Sequence, residues 1–354
     1  MSIMAHDVAD LLYGGSRMRC ASAELPPPLA SGDFRYFSYG RYALREALKL
    51  AGVQQGDVVL LPEYICRENL AAIHALGAHT AFFPVNEALE LAVPVDSLPA
   101  ARAVMAVNYF GFPQDLSPFE EYCRKTGAVL VEDNAHGFLS RDAQGRYLGT
   151  RGDLGIFSFR KSIPVLNGSG LVLNHPERTL PQAPQLSYVS YTESRTYRAK
   201  RHLRKLAQLH LTGLLYAVIG LERAMRRFRT GEDYVKSDTD AEQVLPGRPE
   251  PDANLPAMLQ SLDVGYEISR RRQLYSAIDA LVTRHGGTPV FRELPAHVVP
   301  YGYPFRASAD AIGEIRRALR RQYLDCYLWP ELPAEIEPRA PEHYKSVWLV
   351  NFIW

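Results

Sequence analysis

Amphipathic helical patterns and short apolar runs alternate between about Tyr39 and Asn174. Apolar residues recur at helical spacing in the segment GRYALREALKLAG, and a continuous apolar run, DVVLLP, follows it. Continuous Val, Leu and Ile runs between amphipathic helices are typical of parallel strands that helices cover on both faces. The pattern therefore predicts a three-layer α/β domain. Its further elements are the helices RENLAAIHALGA and Ser117 to Thr126 and the strands HTAFFPV, AVMAVN, AVLVE, LGIFSF and SGLVLN.

The pattern changes on either side of this region, which predicts four segments. Residues 1–35 are interpreted as an N-terminal arm, and residues 36–194 as the large α/β domain. Residues 195–254 are predicted to form a basic helical insertion followed by an acidic loop. Residues 255–354 combine helical patterns with short apolar runs such as VVPYGYPF, which predicts a smaller C-terminal α+β domain.

The composition limits the function classes. The chain has 354 residues, of which 47% are hydrophobic and 22% charged, so it can bury a sizeable core. Its net charge of +1 gives no reason to expect nucleic-acid binding. The four cysteines form no C-x-x-C pair, which argues against a zinc site or a disulfide framework and fits a reducing compartment. The sequence has no signal-peptide pattern and no apolar run of transmembrane length, so we expect a cytoplasmic protein.

The segment 195–230 is strongly basic, with ten Lys and Arg residues against one acidic residue, Glu222. One interpretation is a pair of helices that packs across a dimer interface with its charges solvated. The other is an amphipathic surface that contacts an anionic membrane or a partner protein. The sequence leaves both interpretations open.

Three short segments of the α/β region carry residues suited to one kind of chemistry. VEDNAHGF carries Asp133 at the end of a predicted strand, where open α/β sheets bind ligands. FSFRKSIPVLNGSG carries Lys161 just after another strand, and SYGRYAL opens a helix at Gly40 and Arg41, where free N–H groups suit a phosphate. Each feature is common by itself, since a lone Lys is usually solvated and an Asp at a strand end is usually a turn residue. Together they supply a phosphate anchor, a carboxylate and an amine, the parts that a pyridoxal 5'-phosphate site needs.

The order of these segments resembles that of a known family. The sequence runs through GRYAL, LLPEYICRENLAAI, AVNYFGFPQDL, VEDNAHGF and GIFSFRKSIPVLNGSGLVLN. It resembles the DegT-type sugar aminotransferases over about residues 36–175, and more loosely over 254–306. The segment KSIPVLNGS is the most specific, because it is similar to the family's KNLPTGEGG in its lysine, middle proline and glycine. The resemblance implies a fold-type-I enzyme that uses pyridoxal phosphate on nucleotide-linked keto-sugars.

The resemblance also assigns roles to single residues. Lys161 matches the lysine that holds the cofactor as a Schiff base and later moves a proton. Asp133 matches the aspartate that pairs with the pyridine nitrogen of the cofactor. His136 falls where the family commonly has Gln or His, near the cofactor ring, and Ser158 is expected to donate to the phosphate.

The phosphate loop departs from the family pattern. The family has Ser-Gly-Thr, whereas Tyr39, Gly40 and Arg41 stand here. An arginine can bind phosphate through two parallel hydrogen bonds, so the function can survive the change. We expect Gly40, Arg41 and Tyr42, at the start of the predicted helix, to contact the cofactor.

Two further cofactor contacts match the family less directly. The aromatic residue that covers the ring aligns near Cys66, and Tyr64 is the closest aromatic residue. The neighbouring subunit of the family supplies an asparagine, for which Asn254 is the best match, displaced by the basic insertion. Cys66 itself has two interpretations, a buried structural thiol or a nucleophile.

These inferences together predict a homodimer that transfers an amino group from an amino acid to a nucleotide-linked keto-sugar, in polysaccharide or secondary-metabolite biosynthesis. We expect no metal and no nucleic acid. The family's dehydratase branch replaces the lysine, so Lys161 argues against that branch. Two alternatives remain open: a pyridoxal phosphate enzyme with a non-sugar substrate, and a non-catalytic relative that acts as a binding or regulatory protein.

Overall fold

The computed structural model describes residues 5–19, 25, 26, 28–30, 33–174, 184–192, 197–199, 202, 203, 212–230 and 237–353. The helices are α1 (Ala5–Gly14), α2 (Gly40–Leu50), α3 (Leu70–His74), α4 (Ser117–Thr126), α5 (Thr212–Thr230), α6 (Leu255–Gln260), α7 (Val264–Arg284), α8 (Ala309–Arg321) and α9 (Glu342–Lys345). The strands are β1 (Phe34–Phe37), β2 (Val58–Pro62), β3 (His79–Phe83), β4 (Ala103–Val107), β5 (Val129–Asn134), β6 (Leu154–Ser158), β7 (Ser169–Leu173), β8 (Thr288–Pro289), β9 (Gly302–Arg306), β10 (Tyr327–Leu328) and β11 (Val347–Asn351).

The larger sheet has seven strands in the order β1-β7-β6-β5-β4-β2-β3. Strands β2 to β6 pair in parallel, as the sequence predicts. Strand β7 runs antiparallel to both β6 and β1, which corrects the expectation of a wholly parallel sheet. Only residues 159–168 join β6 to β7, fewer than the dozen or so that a parallel crossover needs.

Both faces of this sheet are covered. Strands β4, β5 and β6 are buried at every position. Since successive side chains of a strand point to opposite faces, continuous burial requires cover on both sides. Helix α2 packs on β1, β6 and β7, and α4 packs on β4 and β5. The predicted three-layer α/β architecture is confirmed.

A smaller antiparallel sheet of four strands, in the order β10-β11-β9-β8, follows in the C-terminal part of the chain. Helix α7 packs on β8 and β9. The two sheets share one hydrophobic core, which includes Val104 of β4 and Tyr303 of β9. This arrangement agrees with the predicted smaller α+β part, and the predicted boundaries after residues 35, 194 and 254 stay predictions.

Helix α1 lies inside the segment that the sequence analysis interprets as an arm. Tyr13 of this helix is fully buried, and its hydroxyl donates to the carbonyl oxygen of Tyr323. Helix α1 packs on α7, where Arg270 Nη1 donates to the carbonyl oxygen of Leu11 at 3.1 Å. Part of the segment 1–35 therefore belongs to the core, which its short apolar pattern did not predict.

Gly155 of β6 allows the turn at Gly149 to approach the strand closely. A Cβ atom at Gly155 would lie 1.7 Å from the carbonyl oxygen of Gly149. Because backbone on both sides would have to move, we expect Gly155→Ala to lower the free energy of unfolding by more than about 4 kcal/mol. Urea denaturation followed by circular dichroism measures this loss.

The matched control is Gly313→Ala in α8, where the added methyl group meets no atom within 4 Å. We expect this variant to unfold at the same urea concentration as the unmodified chain or higher, because Ala favours a helix over Gly by about 1 kcal/mol. A Gly155→Ala protein as stable as the Gly313→Ala protein contradicts the prediction.

Candidate active site

The carboxyl ends of three neighbouring strands of the larger sheet meet at one edge. Val107, the last residue of β4, lies opposite Asp133 near the end of β5. Strand β6 ends beside them at Ser158, and a single turn of 3-10 helix, Phe159–Lys161, follows it. This topology brings a carboxylate, a hydroxyl and an amine from distant parts of the sequence to the same edge.

A cavity at this edge is lined by Asp133, His136 and Lys161. The rest of its wall comes from the segment after β2, the end of β4 and a residue near the C-terminus. These residues are Ile65, Cys66, Asn69, Val107, Asn108, Tyr109, Ala135 and Trp329. The structure therefore brings together the three residues that the sequence analysis predicts to be catalytic.

Asp133 is a buried carboxylate with one hydrogen bond of its own. Its Oδ1 accepts from the N–H of Ala135 at 2.9 Å. Burial raises the pKa of Asp133, while the positive charge of Lys161 and the Ala135 N–H oppose the shift. A cation or protonated ring nitrogen in the cavity would stabilise the ionised carboxylate.

His136 is held in one orientation by the backbone. Its Nδ1 accepts from the N–H of Phe110 at 3.2 Å, and Phe110 reaches this position in a left-handed conformation with φ of 56°. Burial lowers the pKa of His136 well below its usual range, and the charge of Lys161 lowers it further, so the ring is neutral. Because Nδ1 accepts, the proton of the neutral ring is on Nε2.

This tautomer determines what His136 does to the lysine. Nε2 lies 3.3 Å from the Nζ of Lys161, and an Nε2–H group can only donate there. Such a donor would be accepted by the lone pair that the lysine needs when it acts as a nucleophile.

Two aromatic residues from the C-terminal part of the chain support His136. The ring of Tyr301 stacks on His136 with centroids 4.3 Å apart and an interplanar angle of 3°. Trp329 packs 5.1 Å from His136 and 4.7 Å from Phe110. Sequence reasoning missed both residues, because each lies more than a hundred residues from His136 and has no motif around it.

The start of α2 lies next to Ser158, as the sequence analysis predicts. A Cβ atom at Gly40 would be 3.8 Å from the Cβ of Ser158. The N–H groups of Gly40 and Arg41 have no acceptor among the residues that the structure describes. These free donors and the positive end of the helix lie beside Ser158. None of Gly40, Arg41 and Ser158 is among the residues that line the cavity.

The guanidinium group of Arg41 is partly buried and has no hydrogen-bond or ion-pair partner in the described part of the chain. Burial lowers the pKa of Arg41, with Glu68 opposing the shift and Arg160 adding to it. Glu46, the nearest alternative partner in sequence, pairs instead with Arg45 at 2.7 Å and Lys49 at 3.0 Å. An unpaired cation beside free N–H groups is suited to an anion such as phosphate.

The structure does not bring Tyr42 or Tyr64 to the cavity. The hydroxyl of Tyr42 donates to the carbonyl oxygen of Gly247 at 2.8 Å, and Tyr64 is fully buried with its hydroxyl on the carbonyl oxygen of Trp329. Asn254 is exposed at the start of α6, so the prediction that it reaches a neighbouring subunit stays a prediction.

Cys66 lines the cavity. Burial raises the pKa of the Cys66 thiol to about 12, with Lys161 opposing the shift. The thiol is therefore protonated at neutral pH, which favours the structural interpretation over that of a nucleophile.

A buried ion-pair cluster on α7 supports the lysine loop from behind. Arg271 donates to the carbonyl oxygens of Ser162 at 2.6 Å and Tyr301 at 3.3 Å, and its Nε donates to Glu267 at 2.6 Å. Arg270 binds the same carboxylate at 2.7 Å. Burial alone would raise the pKa of Glu267, but the two guanidinium groups outweigh it and lower the pKa to about 2.

This cluster predicts a pH-dependent contribution to stability. Because the pKa of Glu267 is lower in the folded chain, its stabilisation is complete above the ordinary value of 4.5 and is lost as the pH falls towards 2. At neutral pH we expect Glu267→Gln to lower the free energy of unfolding by about 3 kcal/mol or more, since two buried arginines lose their carboxylate. Urea denaturation at a series of pH values measures the difference.

The difference between the unmodified chain and Glu267→Gln should shrink steadily as the pH falls below 4.5. Glu314→Gln, which removes an exposed carboxylate paired with Arg317 on α8, is the matched control and should change stability little at any pH. A difference for Glu267→Gln that is independent of pH would exclude the ionised carboxylate as its source.

The order of the strands in the larger sheet is that of fold type I, and solved aminotransferases share this fold with the chain. The chain belongs to the DegT/DnrJ/EryC1/StrS aminotransferase family, whose sequence model matches residues 37–222. The resemblance and the fold that the sequence predicts are confirmed.

Single relatives match over different lengths. GDP-perosamine synthase of Escherichia coli O157:H7 is 30% identical over 147 residues, which are 40% of this chain and 40% of that protein. The aminotransferase TlmJ of Streptoalloteichus hindustanus has a TM-score of 0.55 and 21% identity, over 90% of this chain and 80% of that chain. A GDP-4-keto-6-deoxymannose-3-dehydratase has a TM-score of 0.56 and 14% identity, over 90% and 84%. The chain thus spans less than half the length of the curated relative, and the structural likeness shows the fold alone.

Proposed function

We propose that this chain is a pyridoxal phosphate-dependent aminotransferase that transfers an amino group from an amino acid to a nucleotide-linked keto-sugar. The observation that carries the proposal is the cavity, which Asp133 and Lys161 line together at the carboxyl ends of β5 and β6. The unpaired Arg41 and the free N–H groups at the start of α2 lie next to Ser158, at the end of β6, and supply further support.

The residues present fit pyridoxal phosphate group by group. Asp133, a buried carboxylate with a raised pKa, would hold the protonated ring nitrogen. Arg41, the Gly40 N–H and the Ser158 hydroxyl would hold the phosphate, and Lys161 would hold the aldehyde carbon. Each of these groups has an unused donor or acceptor in the described part of the chain, which is what a bound cofactor of this charge pattern requires.

Bound pyridoxal phosphate supplies a carbonyl group that takes up the amino group and a ring that acts as an electron sink. Asp133 keeps the proton on the ring nitrogen, because its carboxylate is more stable beside a cation than alone in a buried site. Lys161 Nζ takes the proton from the substrate carbon and returns it as general base and acid. His136 Nε2–H keeps the Lys161 lone pair in position between these transfers.

The substrate class rests on the family and on GDP-perosamine synthase, with which the chain shares 30% identity over part of its length. The same family supports a role in polysaccharide or secondary-metabolite biosynthesis. We further propose a homodimer in which Asn254 of each subunit completes the partner's cavity. Asn254 is exposed, so its side chain is available to a neighbouring subunit. Cys66 and Cys326 form no disulfide, which suits a cytoplasmic protein.

Lys161 provides the direct test. The purified protein with pyridoxal phosphate should show a near-visible absorption band that borohydride removes, and it should transfer an amino group from an amino acid to nucleotide-linked keto-sugars. We expect Lys161→Ala to abolish transfer and to leave pyridoxal phosphate removable by dialysis, because the covalent link and the proton carrier are both lost. Absorbance spectra and product analysis measure both effects.

Lys125→Ala, which removes an exposed lysine on α4, is the matched control and should behave as the unmodified chain. A Lys161→Ala protein that keeps a borohydride-reducible link would show that another lysine carries the chemistry. An unmodified protein that takes up no pyridoxal phosphate would favour a non-catalytic binding or regulatory protein, and activity on non-sugar ketones alone would correct the substrate.

Arg41 is the second test. A charge-assisted contact to phosphate contributes roughly 1.5–3 kcal/mol, so Arg41→Ala should weaken pyridoxal phosphate binding about tenfold to a hundredfold. Fluorescence titration measures the dissociation constant, and a Lys161→Ala background makes the equilibrium non-covalent in every variant.

Arg160→Ala is the matched control for Arg41, because the Arg160 guanidinium lies 5.1 Å from the Tyr39 ring beside the same helix start. Both variants remove one positive charge near the start of α2, but only Arg41 belongs to the first turn of that helix. If Arg41→Ala and the parent protein have equal dissociation constants for pyridoxal phosphate, residues other than Arg41 bind its phosphate group.

A further inference from the structure

The described side chains by which helix α5 contacts the rest of the structure lie on one of its faces. Ile219 is fully buried, and the hydroxyl of Tyr216 donates to Asp10 of α1. Arg223 pairs with Asp325 at 2.7 Å and donates to the carbonyl oxygen of Tyr323 at 2.6 Å. These contacts fix the helix along the surface, so its opposite face is presented in a defined orientation.

The opposite face of α5 carries an exposed apolar stripe, formed by Val218, Leu221, Met225 and Phe228. Their exposed fractions are 37%, 62%, 46% and 92%. The spacing of three, four and three residues puts all four on one side of a helix. Of the eight large hydrophobic residues that are exposed in the described part of the chain, these four are the only group on one element.

Positive charge is concentrated in the same part of the sequence. Residues 195–230 contain ten Lys and Arg against one Glu, whereas the whole chain has a net charge of only +1. The rest of the chain is therefore net acidic. An apolar stripe within a strongly basic segment is the pattern of helices that lie in the interface of an anionic membrane.

We propose that α5 docks on the surface of an anionic phospholipid bilayer, with the apolar stripe inserted at the boundary between headgroups and acyl chains. The stripe spans the eleven residues from Val218 to Phe228, a rise of about 15 Å along the helix, which suits a helix lying flat in the interface. Among the residues that the structure describes, no helix is long and apolar enough to cross a membrane.

Charge favours a bilayer over a second copy of this chain. A two-fold contact between copies joins the same surface on both subunits, so a dimer formed through the stripe brings two basic segments together. Anionic headgroups neutralise that charge instead, and each Lys or Arg near such a surface strengthens binding. None of the four stripe residues lines the cavity of Lys161, so docking leaves the proposed active site unobstructed.

The test is sedimentation of the full chain with vesicles of phosphatidylcholine, with or without phosphatidylglycerol. We expect binding to the vesicles that contain phosphatidylglycerol and none to phosphatidylcholine alone. Binding should weaken as the ionic strength rises from about 0.1 M to about 1 M, because the Debye length falls from about 10 Å to about 3 Å.

The double variant Leu221→Gln/Phe228→Gln removes the two most exposed apolar side chains without changing the charge. It should bind the anionic vesicles at least about tenfold more weakly, since each side chain loses its burial in the bilayer. Val244→Gln is the matched control, because Val244 is 52% exposed outside the helix and should bind as the unmodified chain does.

Three outcomes would overturn the proposal. One is equal binding to both kinds of vesicle or to neither, and another is equal binding by the double variant and the unmodified chain. The third is a double variant whose mass in solution falls from dimer to monomer, which would show that a second copy covers the stripe. Each substitution is at an exposed position, so we expect circular dichroism to show an unchanged fold. Vesicle binding is therefore compared between folded proteins.

Discussion

The buried carboxylate of Glu132 is the constraint on which the active-site edge of the sheet depends. It is fully buried in β5, and it accepts hydrogen bonds from Asn108 after β4, from Gly152 before β6, and from the backbone and side chain of Arg151. One group thus joins the ends of three strands. Removing a partner of a buried ion pair costs about 3–5 kcal/mol, so the strands cannot shift relative to one another without that loss.

Two adjacent acidic residues have opposite roles as a consequence. Glu132 points to one face of the sheet, and both of its carboxylate oxygens accept hydrogen bonds from other residues of the chain. It is therefore a structural group. Asp133 points to the other face, keeps a single backbone hydrogen bond, and has a raised pKa because it is buried. The alternation of side chains along β5 is therefore what separates the residue that holds the sheet from the residue that is available to a ligand.

The sequence predicts well what depends on local order and less well what depends on distant contacts. The sequence predicts Asp133 and Lys161 because one lies at the end of an apolar strand and the other follows the next strand, and parallel pairing brings these strand ends together. Tyr64 was misplaced because alignment fixes only a position along the chain, and its side chain turns into the core. Trp329 and Tyr301 were missed because only the packing of the C-terminal part against the larger sheet brings them to His136. Helix α1 was not predicted either, because contacts with distant residues such as Tyr323 place it in the core.

The hydrogen bonds of His136 explain which side chains are exchangeable at its position. The side chain at this position must accept a hydrogen bond from the Phe110 N–H and donate one towards Lys161. The accepting and donating atoms must be as far apart as the two nitrogens of an imidazole ring. A glutamine offers an oxygen and an NH2 group on a side chain of similar reach, so it meets both requirements without titrating. Asparagine is too short and a carboxylate cannot donate when ionised. The requirement at this position is thus one of hydrogen-bond polarity, which both His and Gln meet.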